Sequence, residues 1–305
     1  MVADGQAMTT TSRVGLLATI GLLVTAAVWG STFVLIKDVV DRMPVADFLA
    51  VRFIVAAVVM FALFHRHVAR LERRQLWRGV MLGALYGLGQ LLQTWGLSLI
   101  SPSVSGFVTG MYVVFTPILA TFLLRQRMST SVWLAVGMAT LGLALLTLNG
   151  FSVDLGVWLT LISALLYGLH IVGLGHWARA DEAFGLSAVQ MAVIALVCLL
   201  ATAGHGGPTL PPDRSAWIAV LYMALVAGAG AMLMQTWAQA HLPATRAAIV
   251  MTTEPVFAAT FAVMFGSDVL TWRMLCGGGL VLAAMYLVEL TPRREPPAEA
   301  IHHEV

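Results

Sequence analysis

Three ionisable side chains lie deep inside long apolar stretches of the sequence: Glu254, His170 and Arg52. The Asp residues, by contrast, all fall in loops or near the ends of apolar stretches. Where such a stretch crosses a bilayer a buried charge is expensive, so each of the three is a candidate functional residue. The carboxyl group of Glu254 can recognise a substrate ammonium group or carry a proton as the coupling ion. The alternative is a structural role, in which it holds two helices together.

Amides and aromatic rings form a second group of candidates within the apolar stretches. Tyr86, Gln90 and Gln93 follow a spacing of i, i+4 and i+7, which places them on one face of a helix. A polar face directed at lipid is unfavourable, so we expect it to line a cavity; hydrogen bonds between helices are the alternative. The candidate substrate-binding residues are Trp29, Tyr86, Gln90, Gln93, Tyr112, Tyr167, His170, Gln235 and Glu254.

Two prolines lie within apolar stretches beside these candidates, Pro255 directly after Glu254 and Pro117 in an earlier stretch. Proline removes a backbone donor and interrupts the hydrogen bonds of a helix. In a membrane the freed groups are tolerated only where protein or a water-lined cavity satisfies them. We therefore predict hinges or kinks at Pro117 and Pro255. For Arg52, a contact with the substrate and a structural bond to a helix end both stay open.

The composition indicates a membrane protein. The chain has 305 residues, of which 59% are hydrophobic and 10% are charged, whereas a soluble domain carries about 25% charged residues. The sequence has no basic stripe of the kind that binds nucleic acid. Cys198 and Cys276 lie in apolar stretches without a CxxC or a metal-ligand spacing, so we expect no metal and no cofactor. The expected partners are a small-molecule substrate and the lipid bilayer.

Hydrophobic runs of the length needed to cross a bilayer predict ten transmembrane helices. The first run has 23 residues. It is longer than the about 7–15 residues of a signal-peptide core, so we interpret it as a spanning helix. The predicted spans are 14–36, 45–64, 77–99, 104–124, 132–149, 155–177, 185–203, 216–240, 244–265 and 271–290.

Basic residues predict the orientation, because cytoplasmic loops of membrane proteins are enriched in Lys and Arg. With the N-terminus in the cytoplasm, twelve Lys and Arg residues fall in cytoplasmic segments and four on the opposite side. We therefore predict a multi-pass protein of the cell inner (plasma) membrane with both termini cytoplasmic. Its predicted parts are a cytoplasmic N-terminal tail at 1–13, five-helix repeats at 14–149 and 155–290, and a cytoplasmic C-terminal tail at 291–305.

The two halves of the sequence are related to each other. The triplet Gln-Thr-Trp at 93–95 recurs at 235–237, an offset of 142 residues that also aligns Tyr112 with Glu254. Over the first two helices of each half the offset is 138. Five spans are an odd number, so the second half enters the membrane from the opposite side and the repeats are inverted. Inverted repeats are typical of transporters, which alternate around one central site; an old duplication without transport is the alternative.

Short motifs in both halves resemble a known repeat, the EamA type. In the second half they are Tyr167-Gly168, Gln190 and 252–257 (TTEPVF), and in the first half they are Trp29-Gly30-Ser31, Arg52 and 110–115 (GMYVVF). Over nearly its whole length the chain resembles the ten-helix exporters of the drug/metabolite transporter superfamily, and within it bacterial amino-acid exporters of the YddG kind. The resemblance implies two inverted repeats around a central pathway. The chain departs from the family before the fifth and tenth helices, where Gln126-Arg127 and Asp268-Val269 replace the usual Glu-Arg.

These observations predict an exporter of small metabolites, above all amino acids or similar zwitterionic and neutral solutes, that works by alternating access. A phosphate-ester or nucleotide-sugar antiporter is the second interpretation, but such anions need fixed basic partners and only Arg52 is deep. A membrane scaffold without transport is the third. We expect no enzyme, because intramembrane aspartyl proteases need two deep Asp residues and His170 has no recognisable serine motif to pair with.

Overall fold

The structure is a computed structural model that describes residues 3–124, 130–149, 152–179, 181–242, 250–266 and 268–290. The first half contains α1 (Ala3–Val40), α2 (Val45–Val68), α3 (Arg73–Leu99), α4 (Pro102–Gly110), α5 (Tyr112–Leu124) and α6 (Thr130–Thr147). The second half contains α7 (Leu155–Trp177), α8 (Ala183–Leu200), α9 (Arg214–Ala224), α10 (Ala231–His241), α11 (Glu254–Met264) and α12 (Trp272–Leu290).

Within the described residues these helices form ten spans, as predicted. The fourth span consists of α4 and α5, and the eighth of α9, the π-helix Leu225–Gly230 and α10. Six helical runs are long and apolar enough to cross a membrane by themselves. Residues 3–13, within the predicted N-terminal tail, belong to α1, and the predicted C-terminal tail lies outside the described residues.

The helices form because their runs are apolar and their backbone groups are bonded within each segment, as a bilayer requires. Large apolar side chains cover the outer surface, among them Leu16, Trp133 and Leu200. Side chains cap several of the helices at their start, as two examples show. The hydroxyl of Ser101 accepts a hydrogen bond from the backbone N–H of Val104, and the carboxyl group of Asp213 caps α9 in the same way.

The fourth and ninth spans are divided at equivalent positions. Met111 separates α4 from α5, and Thr252 and Thr253 form a turn directly before α11. Met111 and Thr253 are 142 residues apart, which is the offset between the halves. The sequence predicted the spans 104–124 and 244–265 with hinges or kinks at Pro117 and Pro255, and the structure has the breaks a few residues earlier, at Met111 and at Thr252-Thr253.

The two prolines lie differently with respect to these breaks. Pro255 stands in the first turn of α11, where its missing N–H would have no partner within the helix. Pro117 lies inside α5. Residues 243–249, at the start of the predicted ninth span, are outside the described part of the chain.

The connection between the halves carries the one β-ladder of the described residues. β1 (Leu148–Asn149) pairs antiparallel with β2 (Ser152–Val153). As a result α6 ends at Thr147, two residues before the predicted end of the fifth span.

Helices of one half pack against helices of the other in matching pairs: α2 with α8, α6 with α12, α1 with α11 and α7 with α5. Glycines mark the last two contacts at equivalent positions. A Cβ atom on Gly30 would lie 2.5 Å from the Cβ of Phe257, and one on Gly168 would lie 3.4 Å from the Cβ of Phe115. The same contact made twice, once from each half, is the packing expected of inverted repeats.

Candidate functional site between the repeats

A cavity lies between the two halves, about midway along their helices. The volume that the centres of water molecules can occupy in this cavity is about 60 Å³. A single water needs about 10–15 Å³ by the same measure, so the cavity holds a few waters or a small solute group. The nine candidates named from the sequence all line it: Trp29, Tyr86, Gln90, Gln93, Tyr112, Tyr167, His170, Gln235 and Glu254. They come from α1 and α3 of the first half, from α7 of the second half, and from the divided fourth, eighth and ninth spans.

Most of the lining consists of pairs related by the repeat. Six pairs, at an offset of 138 or 142, supply twelve of the sixteen lining residues. They are Trp29 with Tyr167, Thr32 with His170, Phe33 with Ile171, Gln93 with Gln235, Thr109 with Met251, and Tyr112 with Glu254. The remaining four are Ile36, Arg52, Tyr86 and Gln90, whose counterparts in the other half do not line the cavity. The cavity therefore has an approximate twofold symmetry that four residues break.

Beyond the nine, the cavity is lined by Arg52, for which the sequence had left substrate contact open, and by six residues that were not sequence candidates: Thr32, Phe33, Ile36, Thr109, Ile171 and Met251. The repeat offset could have identified Thr32, because its counterpart His170 was a candidate. Phe33 and Ile171 follow that pair by one residue in each half. They are apolar, and an apolar residue that faces a cavity has the same sequence signal as one that faces lipid.

A buried chain of hydrogen bonds joins three helices along one wall. Nε2 of Gln90 donates to the hydroxyl of Tyr167 at 2.7 Å, and this hydroxyl donates to Oε1 of Gln93 at 2.8 Å. Nε2 of Gln93 donates in turn to the hydroxyl of Thr109 at 3.0 Å. The polar face of α3 therefore does both things that its spacing suggested: it lines the cavity and it bonds to neighbouring helices.

The second polar contact joins the two divided spans. The hydroxyl of Tyr112 donates to Oε2 of Glu254 at 3.3 Å. Tyr112 is the first residue of α5 and Glu254 is the first residue of α11. Glu254 is 7% exposed. A carboxylate at a helix start is favoured by the positive end of the helix dipole, which offsets part of the cost of burying it there.

The third polar contact joins α7 to α8. Nε2 of His170 is 2.8 Å from Oε1 of Gln190, so these two groups share a hydrogen bond. The ring of Tyr86 contacts both His170 and Tyr167, with 5.2 Å between ring centres in each case. Tyr86 thus packs its aromatic ring across the side chains that α7 directs into the cavity.

The eighth span offers backbone carbonyls to two lining side chains. Nε1 of Trp29 donates to the carbonyl oxygen of Ala227 at 2.8 Å, and Nε of Arg52 donates to that of Met223 at 3.3 Å. Both carbonyls lie in or beside the π-helix Leu225–Gly230. A π-helix shifts the backbone hydrogen bonds by one residue, and such segments are frequent at functional sites.

Ion pairs connect the halves at one end of the bundle. Nη1 of Arg42, between α1 and α2, donates to Oδ2 of Asp213 at 2.6 Å and to the hydroxyl of Ser215 at 3.0 Å. Arg42 also pairs with Asp38. The Ser215 hydroxyl, the backbone N–H of Ala216 and the Arg42 guanidinium all favour the carboxylate and lower the pKa of Asp213 from 3.8 to about 2.

The architecture matches known proteins. The EamA-like transporter family matches residues 16–148 and 154–290, one match in each half. A protein from Archaeoglobus fulgidus described as "Uncharacterized transporter" is 28% identical over 276 residues, which cover 90% of this chain and 86% of that protein. A protein of known crystal structure shares the fold at 18% identity, with a TM-score of 0.63, over 88% of this chain and 95% of that chain. The predicted all-helical membrane fold with two inverted five-helix repeats is confirmed.

Proposed function

Because the chain belongs to the EamA-like transporter family and is therefore a membrane transporter rather than an enzyme, we propose that it exports small zwitterionic or neutral metabolites, with amino acids as the leading class. The observation that carries this proposal is the chemistry of the cavity between the repeats. Amides, hydroxyls and aromatic rings line it, together with one carboxyl group, Glu254, and one guanidinium, Arg52.

The balance of charge favours such solutes over phosphate esters. Among the described lining residues, Arg52 is the one Arg or Lys. A phosphoryl group carries up to two negative charges and is bound by several basic or backbone donors in typical sites. A zwitterion carries a single carboxylate, for which one guanidinium is sufficient, and the aromatic rings of Trp29, Tyr86 and Tyr167 supply apolar surface for a side chain.

Alternating access fits the symmetry of the cavity. Inverted repeats form inward-open and outward-open shapes when the two halves exchange conformations around a fixed site. Because six pairs of lining residues are related by the repeat, each half presents a similar set of side chains to a solute in the cavity. The divided fourth and ninth spans meet in the cavity at Tyr112 and Glu254, so a movement of either half is transmitted to the site.

The orientation of the protein in the membrane follows from the basic residues. We place both termini in the cytoplasm of a cell with an inner membrane, because the connection between α2 and α3 and the ends of these helices are rich in Arg. The end of the bundle that holds Arg42 and Asp213 then faces away from the cytoplasm.

Flux measured in proteoliposomes tests the proposal. Purified protein is reconstituted, and counterflow of radiolabelled neutral, acidic and basic L-amino acids and of a sugar phosphate is measured with and without a proton gradient. We expect the neutral amino acids to exchange faster than in protein-free vesicles and the sugar phosphate to stay at the protein-free rate. Counterflow of the sugar phosphate alone would contradict the proposed substrate class, and no flux of any solute would contradict export.

A further inference from the structure

Two buried polar atoms of the cavity lining have no hydrogen-bond partner within the described residues: Nη1 of Arg52 and Oε1 of Gln90. Both residues belong to the four that break the twofold symmetry. The counterpart of Arg52 is Gln190, and the counterpart of Gln90 is Met232. The related pairs build a cavity that both halves share, whereas the two unsatisfied polar atoms are specific to the first half.

Arg52 is buried without an anion. Its side chain is 4% exposed, and within the described chain its one hydrogen bond is donated by Nε to the carbonyl of Met223. The guanidinium lies 4.9 Å from the ring centre of Phe53 and 5.9 Å from that of Phe48. The ion pairs of the described residues all lie elsewhere. Aromatic rings stabilise a cation, but they do not satisfy an N–H donor.

Gln90 complements this donor with an acceptor. Its Nε2 is already bonded to the hydroxyl of Tyr167, and Tyr167 is held by Gln93. The amide is therefore fixed with its carbonyl oxygen unused. A buried acceptor of this kind costs free energy until an N–H or O–H group reaches it.

We propose that Arg52 and Gln90 select the substrate: Nη1 of Arg52 donates to a carboxylate of the solute, and Oε1 of Gln90 accepts from its ammonium group. This inference rests on the proposed function and narrows the substrate to solutes with a free carboxylate beside an amine, such as unmodified amino acids. The symmetric pairs shape the cavity in both conformations, and the asymmetric residues decide what it accepts.

The proposal predicts discrimination between an amino acid and its amide. The amide keeps the size and the amine but loses the negative charge that Arg52 would bind. Hydrogen bonds to charged groups contribute enough that their loss weakens binding by about 10- to 100-fold. We expect the wild-type protein to prefer L-alanine over L-alaninamide, and L-phenylalanine over L-phenylalaninamide, by a factor in this range.

The experiment compares four proteins with these four probes: the wild type, Arg52→Gln, Arg52→Lys and Arg78→Gln. Counterflow in proteoliposomes measures transport, and the rise in melting temperature on adding each probe measures binding in detergent. Arg52→Gln should remove the preference for the acid, and Arg52→Lys should retain part of it because the charge is kept. Arg78, which lies over the ring of Trp177 near the start of α3, is the matched Arg control and should behave as the wild type.

Each outcome decides the proposal. A preference that disappears in Arg52→Gln and survives in part in Arg52→Lys supports it. Equal handling of acid and amide by the wild type overturns it, as does an equal loss for both in Arg52→Gln, which is the result of a purely structural role. If no probe is transported, but the acids raise the melting temperature of the wild type and not that of Arg52→Gln, the proposal of export is contradicted and the inference about Arg52 is supported. If the protein neither transports a probe nor shows a rise in melting temperature with the acids, both the proposed function and this inference are contradicted.

Discussion

Tyr112 and Glu254 occupy the same position in the two repeats, 142 residues apart, and the hydroxyl of the first donates a hydrogen bond to the carboxyl group of the second at 3.3 Å. Two residues related by a twofold operation can touch only near the axis of that operation. The contact therefore lies close to the axis that relates the repeats, where α5 and α11 both begin. This hydrogen bond joins the two divided spans in the lining of the cavity.

Substitutions of Glu254 separate this structural role from proton coupling. We expect Glu254→Gln to keep its fold and most of its transport, because the Gln side chain retains an oxygen that accepts from Tyr112. Glu254→Ala removes the buried acceptor and should lower the free energy of unfolding by about 1–3 kcal/mol. Thermal unfolding of the purified protein and counterflow in proteoliposomes measure the two effects.

Export driven by a proton gradient tests whether Glu254 carries the coupling proton. A Gln side chain cannot titrate, so Glu254→Gln would then lose uphill export while keeping downhill exchange. Uphill transport at the wild-type rate in Glu254→Gln would eliminate the coupling role.

The cavity lining gives a second prediction. Tyr86→Ala and Gln90→Ala should each lower the export rate about tenfold, which corresponds to one lost interaction of about 1.4 kcal/mol. Leu88→Ala is the matched control on the same helix, because Leu88 is 48% exposed on the outer surface. Expression should stay intact in all three variants, and transport is compared per amount of folded protein because Tyr86 and Gln90 also make buried contacts. Wild-type transport by both cavity variants would show that the residues do not contact the substrate.

The number of spans and the repeat could be predicted from the sequence because a bilayer imposes a length on each helix and a duplication leaves a fixed offset. The prolines predicted a hinge in the fourth and ninth spans, but the positions of the breaks at Met111 and Thr253 could not be predicted, because hydrophobicity measures the length of an apolar run and not the continuity of its hydrogen bonds. The polar cavity residues could be predicted, because polar side chains are unfavourable against lipid and they lie within otherwise apolar runs. For Arg52 the sequence left a bond to a helix end open, but it could not identify the carbonyl of Met223 as the acceptor, since any residue offers a carbonyl oxygen.

The close contact of α1 with α11 gives a third prediction. A methyl group on Gly30 would lie 2.5 Å from the Cβ of Phe257 and 2.8 Å from the backbone nitrogen of Ala258. Because the backbone cannot yield as a side-chain tip does, Gly30→Ala should destabilise the protein by about 1–3 kcal/mol. Thermal unfolding in detergent measures the change.

Gly15→Ala is the control on the same helix, since nothing lies within 4 Å of its added methyl group. Alanine is a better helix former than glycine by about 0.8–1.0 kcal/mol, so this variant should match or exceed the wild type in melting temperature. Equal melting temperatures for Gly30→Ala and Gly15→Ala would contradict the tight packing of α1 on α11.

The pair of Asp213 with Arg42 gives the last prediction, a dependence of stability on pH. The pKa of Asp213 is lowered from 3.8 to about 2, first by the Ser215 hydroxyl and the Ala216 N–H and then by the Arg42 guanidinium. A carboxyl group whose pKa is lower in the folded state stabilises the fold above its ordinary pKa, and the contribution is lost as the pH falls through the folded pKa. The loss therefore lies between about pH 4 and pH 2.

Asp213→Asn tests this window, because Asn still caps α9 but carries no charge. We expect a small decrease in melting temperature that is constant from pH 8 to about 5 and shrinks below about pH 4, where the Asp213 carboxyl group of the unfolded wild-type chain begins to take up its proton while that of the folded protein stays charged. High salt should reduce the decrease, since the pair is exposed to solvent. Asp41→Asn, an exposed carboxyl group in the same loop as Arg42, is the control for loss of charge alone. A difference between wild type and Asp213→Asn that has vanished already at pH 5 would mean that the neighbouring donors do not hold the carboxylate in its charged form.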